Sequence, residues 1–408
     1  METKKKLLII GAGFAGFWSA ISAIRQCREL GKEEHLEITV ISQDKYLTIR
    51  PRLYENSLEG LRVELEKYFT PLSITLIKGK VETINPLVKQ VNIFTDNGMR
   101  IKDYDYLILA SGSSLRALNI PGIEQSFNVD TYSNAKKLDQ HLTILAENGF
   151  SREGSTTFLV VGSGLTGLEM VTTIEEKARI LHARFSENHQ DFKVILIERN
   201  KEIADYYSAE AQSYILETLN KKNIKIISDT SIESIQNGTV LLSNDAKLQS
   251  STVIFCNGMV ASPLTCFFDG EKDGQGRLHV DNNLKLSGYS NVIIAGDVAN
   301  VSINSEGKSS IMACQFSMDL GKWAGHNAVN DLFVYPLEPY VNNNYGTCLD
   351  LGQEDAVLST GFDRQLLMKG NQAKQIKTMI TTQHIYPPET LEETLTLSAP
   401  AILTGELF

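Results

Sequence analysis

Short apolar runs rich in β-branched residues recur along the chain. They lie at residues 7–10 (LLII), 38–41 (ITVI), 106–110 (YLILA), 158–161 (FLVV), 193–197 (KVILI), 224–227 (IKII), 252–255 (TVIF) and 292–295 (VIIA). Short runs without polar alternation suit strands covered on both faces. Helix-compatible stretches such as 17–30, 167–182 and 208–221 sit between some of them. Strands alternating with helices predict an α/β protein built on parallel, doubly wound sheets. Two of the runs end alike, in LLIIGAGFAG at 7–16 and FLVVGSGLTG at 158–167. A further strand follows each about one βαβ unit later, at 38–41 and 193–197. The repeat therefore covers whole units rather than a loop.

Both strings carry G-x-G-x-x-G, as Gly11, Gly13 and Gly16 and as Gly162, Gly164 and Gly167. The first glycine permits a tight strand-to-helix turn and the second lets backbone approach a pyrophosphate. The third lets the helix pack against its strand, with the helix N-terminus facing the negative charge. Two copies in strand–turn–helix context point to two dinucleotides in one protein, the arrangement needed to pass a hydride between them.

Composition narrows the rest. At 408 residues, two or three domains with well-buried cores are expected. A net charge of −10 argues against nucleic acid as a partner and does not favour an anionic membrane. Cys27, Cys256, Cys266, Cys314 and Cys348 form no C-x-x-C and no metal-like pairing, which suits a reducing cytoplasm. Residues 7–24 follow Lys4–Lys6 without a charge, as a signal peptide or membrane span would, but the glycines there fall on dinucleotide spacing. They read as strand, turn and helix. Pro121 and Gly122 punctuate one expected domain crossing, and the turn-rich stretch at 255–265 a second. The outer domain is then discontinuous, covering 1–120 and 256–335 around an inner domain at 121–255. Residues 336–408 form a C-terminal region of short strands and a polar tail.

With both fingerprints in place, residues 5–335 resemble the FAD-dependent pyridine nucleotide–disulfide oxidoreductase superfamily, and most closely its type II NADH dehydrogenase branch. Three stretches carry the resemblance further. YDYLILASGSS at 104–114 resembles the turn beneath the FAD, with Ser111 where threonine is usual. NVIIAGDVANV at 291–301 resembles the segment whose aspartate, here Asp297, meets the ribityl and pyrophosphate region. TIRPRLYE at 48–55 resembles the branch's Gln-Pro-x-x-Tyr-Glu stretch, with Arg50 at the glutamine position.

The resemblance implies two Rossmann-like doubly wound domains, one for FAD and one for NAD(P)H, with a small C-terminal region. It assigns Gly11, Gly13, Gly16, Ala110, Ser111, Gly112, Gly296 and Asp297 to FAD, and Gly162, Gly164 and Gly167 to the nicotinamide nucleotide. Glu198 follows the second strand of the inner unit, where an acid accepts hydrogen bonds from the ribose. A carboxylate there repels a 2′-phosphate, so NADH is expected over NADPH, although Arg199 beside it is able to accept a phosphate. On the FAD side Ser42 stands where the acid is usual and Asp44 follows two residues later. Either Ser42 makes the contact or a small shift brings Asp44 in.

Reduced nicotinamide passes hydride to flavin, and the flavin carries the chemistry. By resemblance, Glu169, two residues after Gly167, sits near both rings. IMACQFSMDLGKWAGHN at 311–327 resembles the helix whose N-terminus approaches the flavin. Gln315 matches the first of the branch's two quinone-bordering glutamines, and Asp319 replaces the second. No metal site is expected, and no cysteine spacing supports disulfide relay, so Cys314 reads as a packed residue. Residues 366–388 place Leu366, Leu367, Ile376, Met379 and Ile380 beside Lys369, Lys374 and Lys377. That strip reads as weak interfacial binding or, by preference, as a helix packed on the FAD domain or on a second copy in a homodimer.

The expected function is an FAD-dependent NADH oxidoreductase delivering electrons to an external acceptor, first a quinone. The alternatives are a reductase of a small iron–sulfur carrier and a slow FAD/NADH redox sensor. The expected location is the cytoplasm, with peripheral contact at the inner face of the membrane as the variant.

Overall fold

The computed structural model describes residues 4–303, 307–342 and 344–401. Four of the apolar runs and one further strand, Thr75–Lys78, form one parallel sheet, in the order Val292–Ile294, Tyr106–Leu109, Lys5–Ile10, Leu36–Ser42, Thr75–Lys78. Four others form a second parallel sheet, Lys225–Ile227, Lys193–Ile197, Thr157–Val161, Thr252–Phe255. In both, the strand leading into a glycine loop is central, and the glycine helix returns across the sheet from it. These helices run over Phe14–Glu29 and Leu165–His182. Covered strands need no polar alternation, and Tyr106–Leu109 and Thr252–Phe255 are buried at every position.

The repeat extends further than the glycine loops. Each sheet sends out a three-stranded antiparallel meander before its next parallel strand, at Lys80–Asp103 and at Ile232–Gln249. The chain crosses between the sheets on a two-stranded ribbon, Ser113–Leu115 against Met259–Ala261.

A long helix, Cys314–Leu332, lies against the first glycine helix. Gly321 and Gly325 allow the contact: a Cβ on them would stand 2.4 Å from the Ala15 carbonyl oxygen and 2.2 Å from that of Ser19. Ser22 Oγ donates to the Lys322 carbonyl at 2.6 Å and Gln26 Nε2 to Asn330 Oδ1 at 2.7 Å, fixing the register. Gly325→Leu is expected to lower stability by roughly 3 kcal/mol, since its side chain would meet the Ser19 carbonyl oxygen, the Ala23 nitrogen and the Ser22 Cβ; urea unfolding reads the loss.

The C-terminal region pairs Gly346–Asp350, Ala356–Thr360 and Gln365–Lys369 in an antiparallel sheet and packs a helix, Asn371–Met379, on it. The apolar strip of 366–380 is thereby divided between a strand and a helix. Ala373, Lys377 and Thr381 face inward at four-residue spacing. Among the described residues no helix is long and apolar enough to cross a membrane.

Candidate active site

The two glycine loops have matching geometry. Gly11 and Gly162 take φ of +104° and +101°, which a side chain rarely tolerates. A Cβ on Gly16 would lie 1.9 Å from the Gly11 carbonyl oxygen, and one on Gly167 the same 1.9 Å from that of Gly162. The middle glycines differ: nothing lies within 4 Å of a Cβ at Gly13 or Gly164. Neither helix has a side-chain cap, so their first N–H groups point into that open ground. By contrast, the helices beginning at Tyr132 and Ala209 are capped by Thr131 and Ser208.

Beside the first loop, Ala110 packs under Gly11 and Gly112 takes φ +70° over open space. Ser111 Oγ is buried without a hydrogen-bond partner. Asp297, on the 3₁₀ turn Gly296–Val298, accepts from Ser113 Oγ at 2.5 Å and Ser317 Oγ at 3.0 Å, with Arg50 at 3.8 Å. Arg50 also pairs with Asp130 and donates to Ser113 Oγ at 3.0 Å, tying the ribbon between the sheets to this corner. Ser42 ends its strand half-buried, whereas the Asp44 carboxylate is engaged by the Tyr46 N–H and by Arg62 at 2.7 Å. At the second loop the buried Glu198 accepts from the N–H groups of Ser163 at 2.7 Å and Asn200 at 2.9 Å.

Glu169 is buried on the second glycine helix and paired with Lys377 at 2.7 Å. Burial raises its carboxyl above the ordinary range against the pull of the Lys377 ammonium. Burial works against the lysine's charge too, but the Glu169 carboxylate outweighs it and holds Lys377 above the usual lysine range. Lys377 also donates to the Cys348 carbonyl at 2.9 Å, and the Asp350 N–H donates to Glu169 Oε1 at 3.3 Å. Gln315 lies in the first turn of the long helix, its Nε2 donating to the Asn344 carbonyl at 3.4 Å. Burial pushes the neighbouring Cys314 thiol up, and Lys377 is near enough to pull it back. Asp319 is not a solvated helix carboxylate: burial raises it, and Asn342 Nδ2 donates to it at 3.3 Å.

The pyridine nucleotide-disulphide oxidoreductase family matches residues 5–321. The chain belongs to this family. An NADH dehydrogenase-like protein of Mycobacterium tuberculosis is 36% identical over 386 residues, 94% of each chain. A type II NADH:quinone oxidoreductase of Staphylococcus saprophyticus is 24% identical over 94% of this chain and 96% of its own. The solved structure of NDH2 from Plasmodium falciparum in complex with NADH superposes with a TM-score of 0.76 at 14% identity, covering 97% of both chains, a likeness of fold.

As a member of this family the chain is an oxidoreductase that combines a flavin with NAD(P)H. Its residues fit both groups. The open ground at Gly13 and Gly164, the uncapped helix starts and the orphaned Ser111 hydroxyl are features a bound dinucleotide satisfies. Sequence reasoning preferred a packed helix for this stretch but missed that Lys377 is its buried charge, and it missed Asp350. The signal for the lysine was present: it falls midway between Ala373 and Thr381 on one helix face. Among the described residues no cluster could hold a metal, and none of the five cysteines is in a disulfide.

Proposed function

We propose that the chain is an FAD-dependent NADH oxidoreductase with a quinone as electron acceptor. The carrying observation is the pair of matched glycine loops, each open at its middle glycine, with the buried Glu169–Lys377 pair beside the second. Residues 1–120 and 256–335 would form the FAD-binding domain, 121–255 the nicotinamide domain and 336–408 a C-terminal cover. Gly11, Gly13 and Gly16 would meet the FAD pyrophosphate, Ser42 the adenosine end, Ala110, Ser111 and Gly112 the turn beneath it, and Gly296 and Asp297 the ribityl chain. When bound, FAD takes hydride from the nicotinamide and passes two electrons onward. Gly162, Gly164 and Gly167 would seat the NADH pyrophosphate and Glu198 its ribose. Gln315 and the Glu169–Lys377 pair would border the acceptor and hold the proton it needs. The relative named as a quinone oxidoreductase supports that acceptor, and so does a cysteine spacing without the C-x-x-x-x-C of a disulfide relay after the first fingerprint.

Steady-state NADH oxidation against soluble quinones, ferredoxin-type proteins and oxygen tests the acceptor. Quinone should be fastest, and a preference for the iron–sulfur protein overturns the reading. Glu198→Ala should narrow the NADH/NADPH preference about tenfold, or 1.4 kcal/mol. An unchanged ratio would show that Glu198 does not meet the ribose.

A further inference from the structure

On the proposed placement of FAD and NADH in the two domains, we infer that Arg50 is the positioning residue that sets the nicotinamide domain's angle on the FAD domain. It does so by clamping both chain crossings against the corner that holds Asp297. The guanidinium grows from the 3₁₀ turn Arg50–Arg52 of the first domain and reaches residues on four other stretches of chain. Its Nη1 donates to Ser113 Oγ at 3.0 Å, on the strand that leaves that domain. Its Nε donates to the Asp130 carbonyl at 3.1 Å, and Nη2 pairs with the Asp130 carboxylate, just before the helix Tyr132–Glu147. Nη2 also meets Met259 Sδ at 3.6 Å, on the strand that returns. Asp297 lies 3.8 Å from Nη1 and accepts from the same Ser113 Oγ at 2.5 Å.

Each contact leads on into packed structure. Asp130 Oδ2 accepts from the Leu115 N–H at 3.3 Å, so the aspartate grips the outgoing strand as well. One residue later Thr131 caps the helix Tyr132–Glu147. Leu138 and Leu142 of that helix are buried in one cluster with Leu168 and Val171 of the second glycine helix. From the other side, Leu53 and Tyr54 follow the Arg50 turn directly and are buried in that same cluster, at 1% and 2% exposure. The first domain thus drives a spur into the core of the second, with Arg50 at its root. Tilting the inner domain means breaking the guanidinium's contacts or pulling out the spur.

A planar fork suits this junction. Arginine presents five N–H donors in fixed directions, and all three of its nitrogens are engaged here. Lysine would carry the same charge on one nitrogen. Glutamine, the residue of the resembled branch at this position, also has one donor nitrogen. The Asp130 and Asp297 carboxylates outnumber the guanidinium, so the corner has no net positive charge to lend to a flavin. The Arg50 side chain is 32% exposed, so shortening it opens no void in a core. Its loss is therefore felt as geometry. Reacting atoms must stand about 3–3.5 Å apart, and an ångström of misplacement costs about a hundredfold.

Stopped-flow measurements on the FAD-loaded protein test the strut. Arg50→Gln should slow NADH-driven bleaching by roughly tenfold or more, because hydride crosses from one domain to the other. Reoxidation of the chemically reduced protein by a soluble quinone should stay within about twofold, since it needs no alignment of the domains. Arg50→Lys should recover only a minor part of the loss, and full recovery would assign the effect to charge and overturn the strut. Asp130→Asn should slow bleaching in the same way, and combining it with Arg50→Gln should be no worse than the more severe single variant. Multiplying effects, equal slowing of both half-reactions, or no slowing at all would each overturn the strut. Hydrogen exchange in the FAD-free protein gives a readout apart from turnover. Ribbon amides at 113–116 and 259–261 should exchange about tenfold faster in Arg50→Gln, and those of the buried strands 106–109 and 252–255 should not change. Unchanged ribbon exchange overturns the strut. A parent protein that takes up no FAD overturns the proposed function instead, leaving the strut to be judged by that exchange.

Discussion

Lys377→Met should lower the unfolding free energy by about 3–5 kcal/mol near neutral pH, the cost of leaving one member of a buried ion pair alone. Both side chains are nearly inaccessible, at 7% for Lys377 and 8% for Glu169, so water cannot replace the lost partner. Glu169→Leu combined with Lys377→Met should recover most of that loss, because two apolar groups leave no charge uncompensated. The single variant should also show the sign of the carboxyl's environment. Without the ammonium, burial raises the Glu169 carboxyl further above its ordinary value of 4.5. The folded state then binds more protons than the unfolded one between those two values, so stability is retained in acid and lost as pH rises through that window. Denaturant unfolding at acidic and alkaline pH measures both effects. A Lys377→Met protein as stable as its parent at alkaline pH would mean that the pair is not buried as described.

The second large effect separates two glycines of the same loop. Gly16→Ala should cost roughly 3 kcal/mol or more, because its methyl would meet the Gly11 carbonyl oxygen at 1.9 Å and neither backbone can retreat. FAD should be lost along with the helix packing. Gly13→Ala should leave stability within about 0.5 kcal/mol, since its φ of −70° suits alanine and no atom of the chain lies within 4 Å of the new methyl. FAD affinity should nonetheless fall by about a hundredfold, or 2.7 kcal/mol, as the methyl fills the space through which backbone meets the pyrophosphate. Equal stability losses in the two variants would contradict these distinct roles. Retention of tight FAD binding by Gly13→Ala would contradict the cofactor placement.

The contrast between the two glycines also shows what was legible in the residue order. Glycine spacing follows from backbone geometry that other residues do not tolerate, so Gly11, Gly16, Gly162 and Gly167 announce both loops. Covered parallel strands announce themselves through unbroken apolar runs. The meanders at 80–103 and 232–249 were missed because their strands are short, half-exposed and interrupted by polar residues that read as loops. Lys377 was misplaced for another reason. A lysine on an amphipathic stretch ordinarily faces water, and only its contact with Glu169, 208 residues away, reveals that it is buried. The burial of Asp319 was likewise not legible, because its partner Asn342 comes from a separate segment. Long-range electrostatic partners are set by the tertiary fold, and a local pattern does not carry them.

In the proposed reaction electrons move from NADH through FAD to an external acceptor. Anaerobic rapid mixing of the FAD-loaded protein with NADH, followed by addition of a soluble quinone, tests it most directly. Fast loss of the yellow colour, complete at one NADH per FAD, and its full return with one equivalent of quinone are predicted. A protein that takes up no FAD, or that keeps its colour in excess NADH, would contradict the account.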